Sequence, residues 1–167
     1  MRWMRKSYED ADHQMSGREC ASWDERVAAV LLLREDGAML FRLRDEKAGL
    51  RDAGRWVLPG GHCRPGEPIE TCAAREFLEE TGYICGPLTW LTTFRIAGDA
   101  TGPACLATIF LDQYDGTQPL HCLEGQRVQF IERPQAAAYP IVSYLLGIWE
   151  LGMVAQQNAA VNGKAEP

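Results

Sequence analysis

The stretch "GGHCRPGEPIETCAAREFLEETGY", residues 60–83, decides how the rest of the chain is read. Acids stand at Glu67, Glu70, Glu76, Glu79 and Glu80, with Arg75 as the single cation among them. Pro68 suits a first helical residue and Thr81-Gly82 a C-terminal stop, so the spacing predicts a helix over 68–80. On that helix Glu76, Glu79 and Glu80 fall at i, i+3 and i+4 and share one face. Ile69, Ala73 and Phe77, with Cys72 beside them, form an apolar stripe for packing. A charge run on a helix ordinarily faces water. Here, however, no lysine supports the acids, and three carboxylates near a helix C-terminus oppose a macrodipole that favours cations there. Local rules broken in this way are expected at functional sites. A hard divalent cation, Mg²⁺ or Mn²⁺, bound through oxygen ligands offsets such repulsion. The glycines of Pro59-Gly60-Gly61 and Pro65-Gly66 allow backbone groups to come close to a ligand.

Outward from this helix the chain reads as short strands. "RVAAVLLL" (26–33) is an apolar run of strand length, Asp36-Gly37 marks a turn, and "AMLFRLR" (38–44) follows, which together predict a hairpin. In its second strand Met39, Phe41 and Leu43 alternate with Leu40, Arg42 and Arg44, so a period of two places both arginines opposite the apolar set. Residues 45–55 form a charged loop, and "WVLPGG" returns as a short strand ending at Pro59-Gly60-Gly61. "LTWLTTFRI" (88–96), "ACLATIFLDQY" (104–114) and "RVQFI" (127–131) read as further strands, with a loop over 115–125. Pro140 is expected to open a C-terminal helix, and the polar stretch from Gln156 to fray. The expected organisation is an extension over 1–25, one domain over 26–155 and a tail over 156–167. Hairpins interspersed with two helices predict an α/β protein with a mixed sheet packed by helices.

At 167 residues there is room for one domain with a real core. A net charge of −6 lacks the basic footprint of a nucleic-acid binder. Only three residues are lysine, so arginine, the better bidentate partner for phosphate, carries most of the positive charge. The six cysteines include no CxxC pair, which fits free thiols in a reducing cytoplasm and argues against zinc. "MRWMRKSYEDADHQ" has no apolar core of a secretory signal, and the apolar stretch 140–154 is too short for a bilayer and broken by Glu150. A cytoplasmic protein free of membrane is expected.

The helix and its loop resemble the Nudix box, G-x5-E-x7-R-E-U-x-E-E-x-G-U, where U is a bulky apolar residue. Gly61 opens the pattern, Glu67 follows after five residues and Arg75-Glu76 after seven more. Phe77 takes the first U position, Glu79-Glu80 the paired acids, Gly82 the glycine and Tyr83 the last U. Every fixed position is matched over 61–83. This resemblance implies an α/β/α sandwich with a mixed sheet, spanning about 26–155. It also implies metal-dependent hydrolysis of a diphosphate linkage in a nucleoside diphosphate joined to another group.

By the same resemblance Glu76, Glu79 and Glu80 are the metal ligands, with the carbonyl of Gly60 or Gly61 as a further one. Arg75 and Glu67 stand behind them, Arg75 holding the acids in place. The general base is either a box glutamate, Glu79, or Glu124 in the "LEGQ" loop (123–126), which otherwise is an extra ligand or a surface turn residue. Arg42 and Arg44 are candidates for substrate phosphates, against plain solvent-facing charges. Substrate choice lies outside the box. The asparagine with which oxidised-guanine enzymes of the family can read the base has no counterpart before Asn158 and Asn162. The proline that ADP-ribose enzymes often carry downstream is absent between Pro87 and Pro103, and "LRDAG" (50–54) matches the coenzyme A element only partly. A small nucleotide-type molecule is the expected substrate, and a homodimer stays open. Two rivals remain. One is a non-catalytic Nudix module that binds nucleotides or regulates a partner. The other is an isoprenoid diphosphate isomerase relative, for which Cys63 would be the catalytic thiol.

Overall fold

The computed structural model describes residues 25–162. The expected extension, apart from Glu25, and residues 163–167 of the expected tail lie outside that range. The elements run β1 (Glu25–Leu33), β2 (Met39–Leu43), β3 (Trp56–Val57), β4 (Gly60–His62), α1 (Ile69–Thr81), β5 (Thr89–Ile96), β6 (Cys105–Gln113) and β7 (Arg127–Ile131). A 3₁₀ turn (Arg133–Ala138) and α2 (Tyr144–Asn162) complete the chain.

The strands form one seven-stranded mixed sheet. β1 is its axis. It runs parallel to β6 along its whole length, from Glu25↔Cys105 to Leu33↔Gln113, and meets β2 and β4 antiparallel at its two ends. Burial on both faces explains why "VAAVLLL" is a continuous apolar run rather than an alternating one. Ala28, Val30 and Leu32 point to the side covered by α1, with Cys72, Ala73, Phe77 and Tyr83. Leu31 and Leu33 point to the opposite side, with Phe41, Leu145, Ile148 and Trp149 of the α2 layer. Helices on both faces make the α/β/α sandwich. Trp149 anchors the second layer: its ring stands 5.4 Å from Phe41, and its indole N–H donates to the carbonyl of Gly37 in the hairpin turn at 2.9 Å.

Four local outcomes differ from the sequence expectations, each for a physical reason. "WVLPGG" does not form one strand. Pro59 has no N–H to continue a ladder, so the chain leaves β2 after Val57 and resumes at Gly60 against β1. Gly60 has φ of 154°, and a Cβ there would sit 2.3 Å from the carbonyl oxygen of Ala28. Second, the opposite faces of β2 are both buried, so Arg42 is only 4% exposed instead of facing solvent. Third, Pro140 does not open the last helix. Residues 140–142 run beside Trp56, whose N–H donates to the Pro140 carbonyl at 3.1 Å, and α2 starts only at Tyr144. Fourth, α2 continues past Gln156, because the Gln156 side chain donates to the Arg34 carbonyl at 3.1 Å and ties the helix to the hairpin.

Among the described residues no helix is long and apolar enough to cross a membrane. Cys63, Cys72, Cys85, Cys105 and Cys122 are all free thiols.

Candidate active site

Helix α1 begins one residue later than the spacing predicts, with Pro68 as its N-cap, and ends at Gly82, whose φ of 69° lets its N–H bond to the Leu78 carbonyl at 2.8 Å. The last turn contains no basic residue, so its acids depend on cations from outside that turn. Arginines from three places supply them: the middle of the helix, the sheet and the loop before the helix.

Arg75 forms a fork on Glu67, with contacts of 2.7 and 2.8 Å to the two carboxylate oxygens. The same guanidinium reaches Glu76 at 2.6 Å, Glu79 at 3.2 Å and the His62 carbonyl at 3.2 Å. It therefore ties the helix to the preceding loop and contacts two of the acids. Glu67 also accepts the Arg64 N–H, and these donors hold its carboxyl down at about 2.

The second arginine comes from the sheet. Arg42 pairs with Glu80 at 2.9 Å and with Glu124 at 2.8 Å, joining α1 to the loop before β7. Glu80 is almost fully buried and accepts the Gly60 N–H at 2.9 Å. Burial outweighs these contacts and pushes its carboxyl up to about 8. Glu124 is reached through two backbone bonds, Leu123 N–H to the Glu80 carbonyl at 2.9 Å and Gln126 N–H to the Leu43 carbonyl at 2.9 Å. Between them Gly125 takes φ of 81° in a place where a Cβ would meet the Leu43 carbonyl at 2.6 Å. The Glu124 side chain remains 63% exposed and lines the same cleft as Glu76 and Glu80.

The third, Arg64, was not picked out by the sequence. It meets Glu79 at 3.4 Å on the surface. Glu79 is half exposed and is not part of the cleft wall, which separates it from Glu76 and Glu80 despite the shared helical face.

The cleft has a volume of about 460 Å³. At one end lie Gly60, Gly61, Glu76, Glu80 and Glu124. Gly61 has to be small, since a Cβ would stand 2.3 Å from a Glu76 oxygen. Arg42 and Arg44 also line the cleft, each with a buried Nε that has no hydrogen-bond partner among the described residues. At the other end Leu50, Arg51 and Asp52 face Phe94 and Tyr144, whose rings meet edge-on at 5.4 Å. No local pattern in the sequence marks this end, because its residues come from three separated segments.

The donors at the first end are all oxygens, three of them carboxylate groups beside a glycine turn, though among the described residues these three are not drawn within 4.8 Å of one another as a set. All-oxygen donors are the kind a hard divalent cation takes, and one of the acids is buried at a cost that positive charge would relieve. A different cluster, Cys63, Glu67 and Cys72, has ligand atoms within 4.8 Å of one another. There burial raises the Cys72 thiol far above its ordinary range, away from the thiolate a metal needs.

A family model described as the NUDIX domain matches residues 23–141. The chain is 33% identical over 117 residues to the human protein named 8-oxo-dGDP phosphatase NUDT18, an alignment covering 70% of this chain and 32% of that one. It thus spans about a third of the length of that curated relative. Among solved structures, the MutT NUDIX hydrolase from Burkholderia pseudomallei superposes with a TM-score of 0.67 at 21% identity, covering 77% of this chain and 97% of that one. The MutT protein from Methanosarcina mazei Go1 gives 0.66 at 21% identity, covering 79% and 94%.

Proposed function

The chain belongs to the NUDIX family, and on that premise we propose that it is a divalent-cation-dependent hydrolase. It cleaves the diphosphate linkage of a nucleoside diphosphate joined to a further group. The observation that carries this reading is the cleft lined by Glu76, Glu80 and Glu124 together with the Gly60-Gly61 turn and Arg44. Hydrolysis of a phosphoanhydride needs charge neutralisation and positioning more than a covalent nucleophile.

Glu76 and Glu80, with the Gly60 carbonyl, are the residues that would hold Mg²⁺ or Mn²⁺. Glu79 would join them on giving up its surface ion pairs, which are worth at most about 1 kcal/mol. When bound, the cation supplies charge neutralisation at the substrate phosphates and a more acidic water. Arg75 keeps Glu76 in place through its 2.6 Å contact. Arg44 lines the cleft while Arg42 is taken up by its two ion pairs, so Arg44 is the phosphate-facing cation in this reading. Arg42 acts differently. Bound between Glu80 and Glu124, it positions both acids. Glu124, exposed and facing the cleft, is the proton acceptor for the attacking water. The relative named as an 8-oxo-dGDP phosphatase makes oxidised guanine nucleotides the first substrates to try. A non-catalytic nucleotide-binding module is the second reading, disfavoured because such modules tend to lose box acids and all are present here.

The test is release of phosphate or nucleoside monophosphate across a nucleotide panel, in EDTA and after adding Mg²⁺ or Mn²⁺. Activity should appear only with the cation, and full activity in EDTA would overturn the reading. Glu124→Gln should lower kcat roughly 10²–10⁴-fold, the usual worth of a positioned base. If Glu124→Gln is silent while Glu79→Gln is crippling, the base is Glu79.

A further inference from the structure

The end of the cleft remote from the acids has a chemistry of its own. Phe94 and Tyr144 give it aromatic surface, and Leu50 adds an apolar edge. Two charged groups stand at this surface, Arg51, which is engaged by carbonyls of the opposite loop, and the carboxylate of Asp52. The Asp52 side chain is 21% exposed, Arg55 stands 3.8 Å away, beyond hydrogen-bond length, and the Asp52 charge also reaches Arg44. Asp52 and Tyr144 share this space closely enough that the Asp52 charge, after burial itself, helps raise the Tyr144 hydroxyl to about 12.

The position of Asp52 is built, not incidental. It is the one non-glycine residue with positive φ among the described residues, at 54°. Aspartate is among the few non-glycine residues that tolerate this conformation, so the backbone admits the carboxylate here without requiring it. The turn is locked by the Arg55 N–H on the Asp52 carbonyl at 3.1 Å. Its neighbour Arg51 reaches across the cleft to the carbonyls of Gly102 and Pro103, both at 2.9 Å, and pins this loop to the opposite one. A carboxylate held rigidly beside two aromatic rings is suited to a flat, polar-edged ligand.

We propose that Asp52 is the base-reading residue of this cleft, its two oxygens accepting the adjacent N–H donors of a guanine-type base stacked on Tyr144, with Phe94 edge-on to that ring. The inference rests on the nucleotide-hydrolase reading above for the placement of phosphates near Arg44 and the acids. Two carboxylate oxygens match two neighbouring donors, and only the N1–H and 2-amino group of guanine present such a pair. Adenine and cytosine place an acceptor beside their amino group, and thymine flanks its single N–H with two acceptors; each sets a lone pair against the carboxylate. Oxidation at C8 leaves the N1–H and 2-amino edge unchanged, so guanine and 8-oxoguanine nucleotides are read alike by this residue. Aromatic stacking supplies base-independent affinity, and the carboxylate supplies the choice.

The experiment measures both binding, by calorimetry, and Mg²⁺-dependent hydrolysis for dGTP, 8-oxo-dGTP, dITP and dATP. Hypoxanthine in dITP differs from guanine only by loss of the 2-amino group, so wild type should prefer dGTP over dITP by about 10–100-fold, the worth of one charge-assisted hydrogen bond. Asp52→Asn should bring that ratio near one and raise the dATP to dGTP ratio, because an amide pairs bidentately with adenine. Asp52→Gly, unstrained at this φ, should erase the preference without favouring adenine, and a merely structural role for Asp52 would leave the ratios unchanged. Hydrolysis with no guanine preference, or ratios unmoved in Asp52→Asn, would overturn the proposal and leave the hydrolase reading standing. Guanine-selective binding with no hydrolysis of any nucleotide would support Asp52 and sink the hydrolase reading instead. Absence of binding to all four overturns the proposal.

Discussion

Glu80→Gln should make the metal-free protein more stable at neutral pH. Glu80 is nearly sealed from water, and burial pushes its carboxyl from the ordinary 4.5 up to about 8 despite Arg42 and the Gly60 N–H. The folded state therefore holds a proton that the unfolded chain releases. Stability from this group is full below about pH 4.5, falls as the pH rises, and levels off above about pH 8. At about 1.4 kcal/mol for each pH unit between the two values, the ionisable group costs the fold about 3 kcal/mol at pH 7. Glutamine has the shape and hydrogen-bonding groups of the neutral carboxyl, so the variant and wild type should agree at pH 4 and separate steadily above it. The difference at pH 7 should appear as a rise in Tm of roughly 6–12 °C, at about 2–4 °C per kcal/mol for a domain of this size. Urea unfolding in EDTA between pH 4 and 8.5 measures it. Two parallel curves, with a constant offset or none, would refute the reasoning, since they would mean Glu80 is ionised alike in the folded and unfolded states. Gained stability paired with lost activity is what an acid retained for function produces.

Gly60→Ala should destabilise by at least about 3 kcal/mol, because its Cβ would meet the backbone of β1, which cannot give way as a side chain can. Gly66→Ala, with φ of 75° and open space around it, should cost only about 1 kcal/mol, and comparing the two urea midpoints checks the claim. Glu67→Gln should flatten the acid limb of stability. The Glu67 carboxyl is held down at about 2, so its contribution is present above pH 4.5 and is lost as the pH falls from there towards 2. Acid titration followed by circular dichroism reads this, and an unchanged acid limb would show that Arg75 and the Arg64 N–H do not hold Glu67 as described.

Local periodicity and turn chemistry determined a good deal. The run "VAAVLLL", the Asp36-Gly37 turn and the later strands were legible because each is short and bounded by its own breakers. Helix α1 was legible to within a residue, since Pro68 and Gly82 mark its ends. The box spacing named the acids and Arg75 because i, i+3 and i+4 relations lie within one element and need no knowledge of the rest. Sequence could not tell which of those acids stay together. Glu79 turns to Arg64 and Arg75 on the surface, while Glu80 is drawn inward to Arg42, and that difference depends on a strand nearly forty residues upstream. The period of two in β2 put Arg42 and Arg44 on one face correctly but not which face was wet, because α1 and the Glu124 loop cover it only after folding. The loop around Asp52, the ring of Phe94 and the ring of Tyr144 become one wall only through the sheet and the start of α2. Contacts within a turn or helix are written in neighbouring residues. A cleft is assembled from distant ones, and its charges take their values from the burial that only the packed structure supplies.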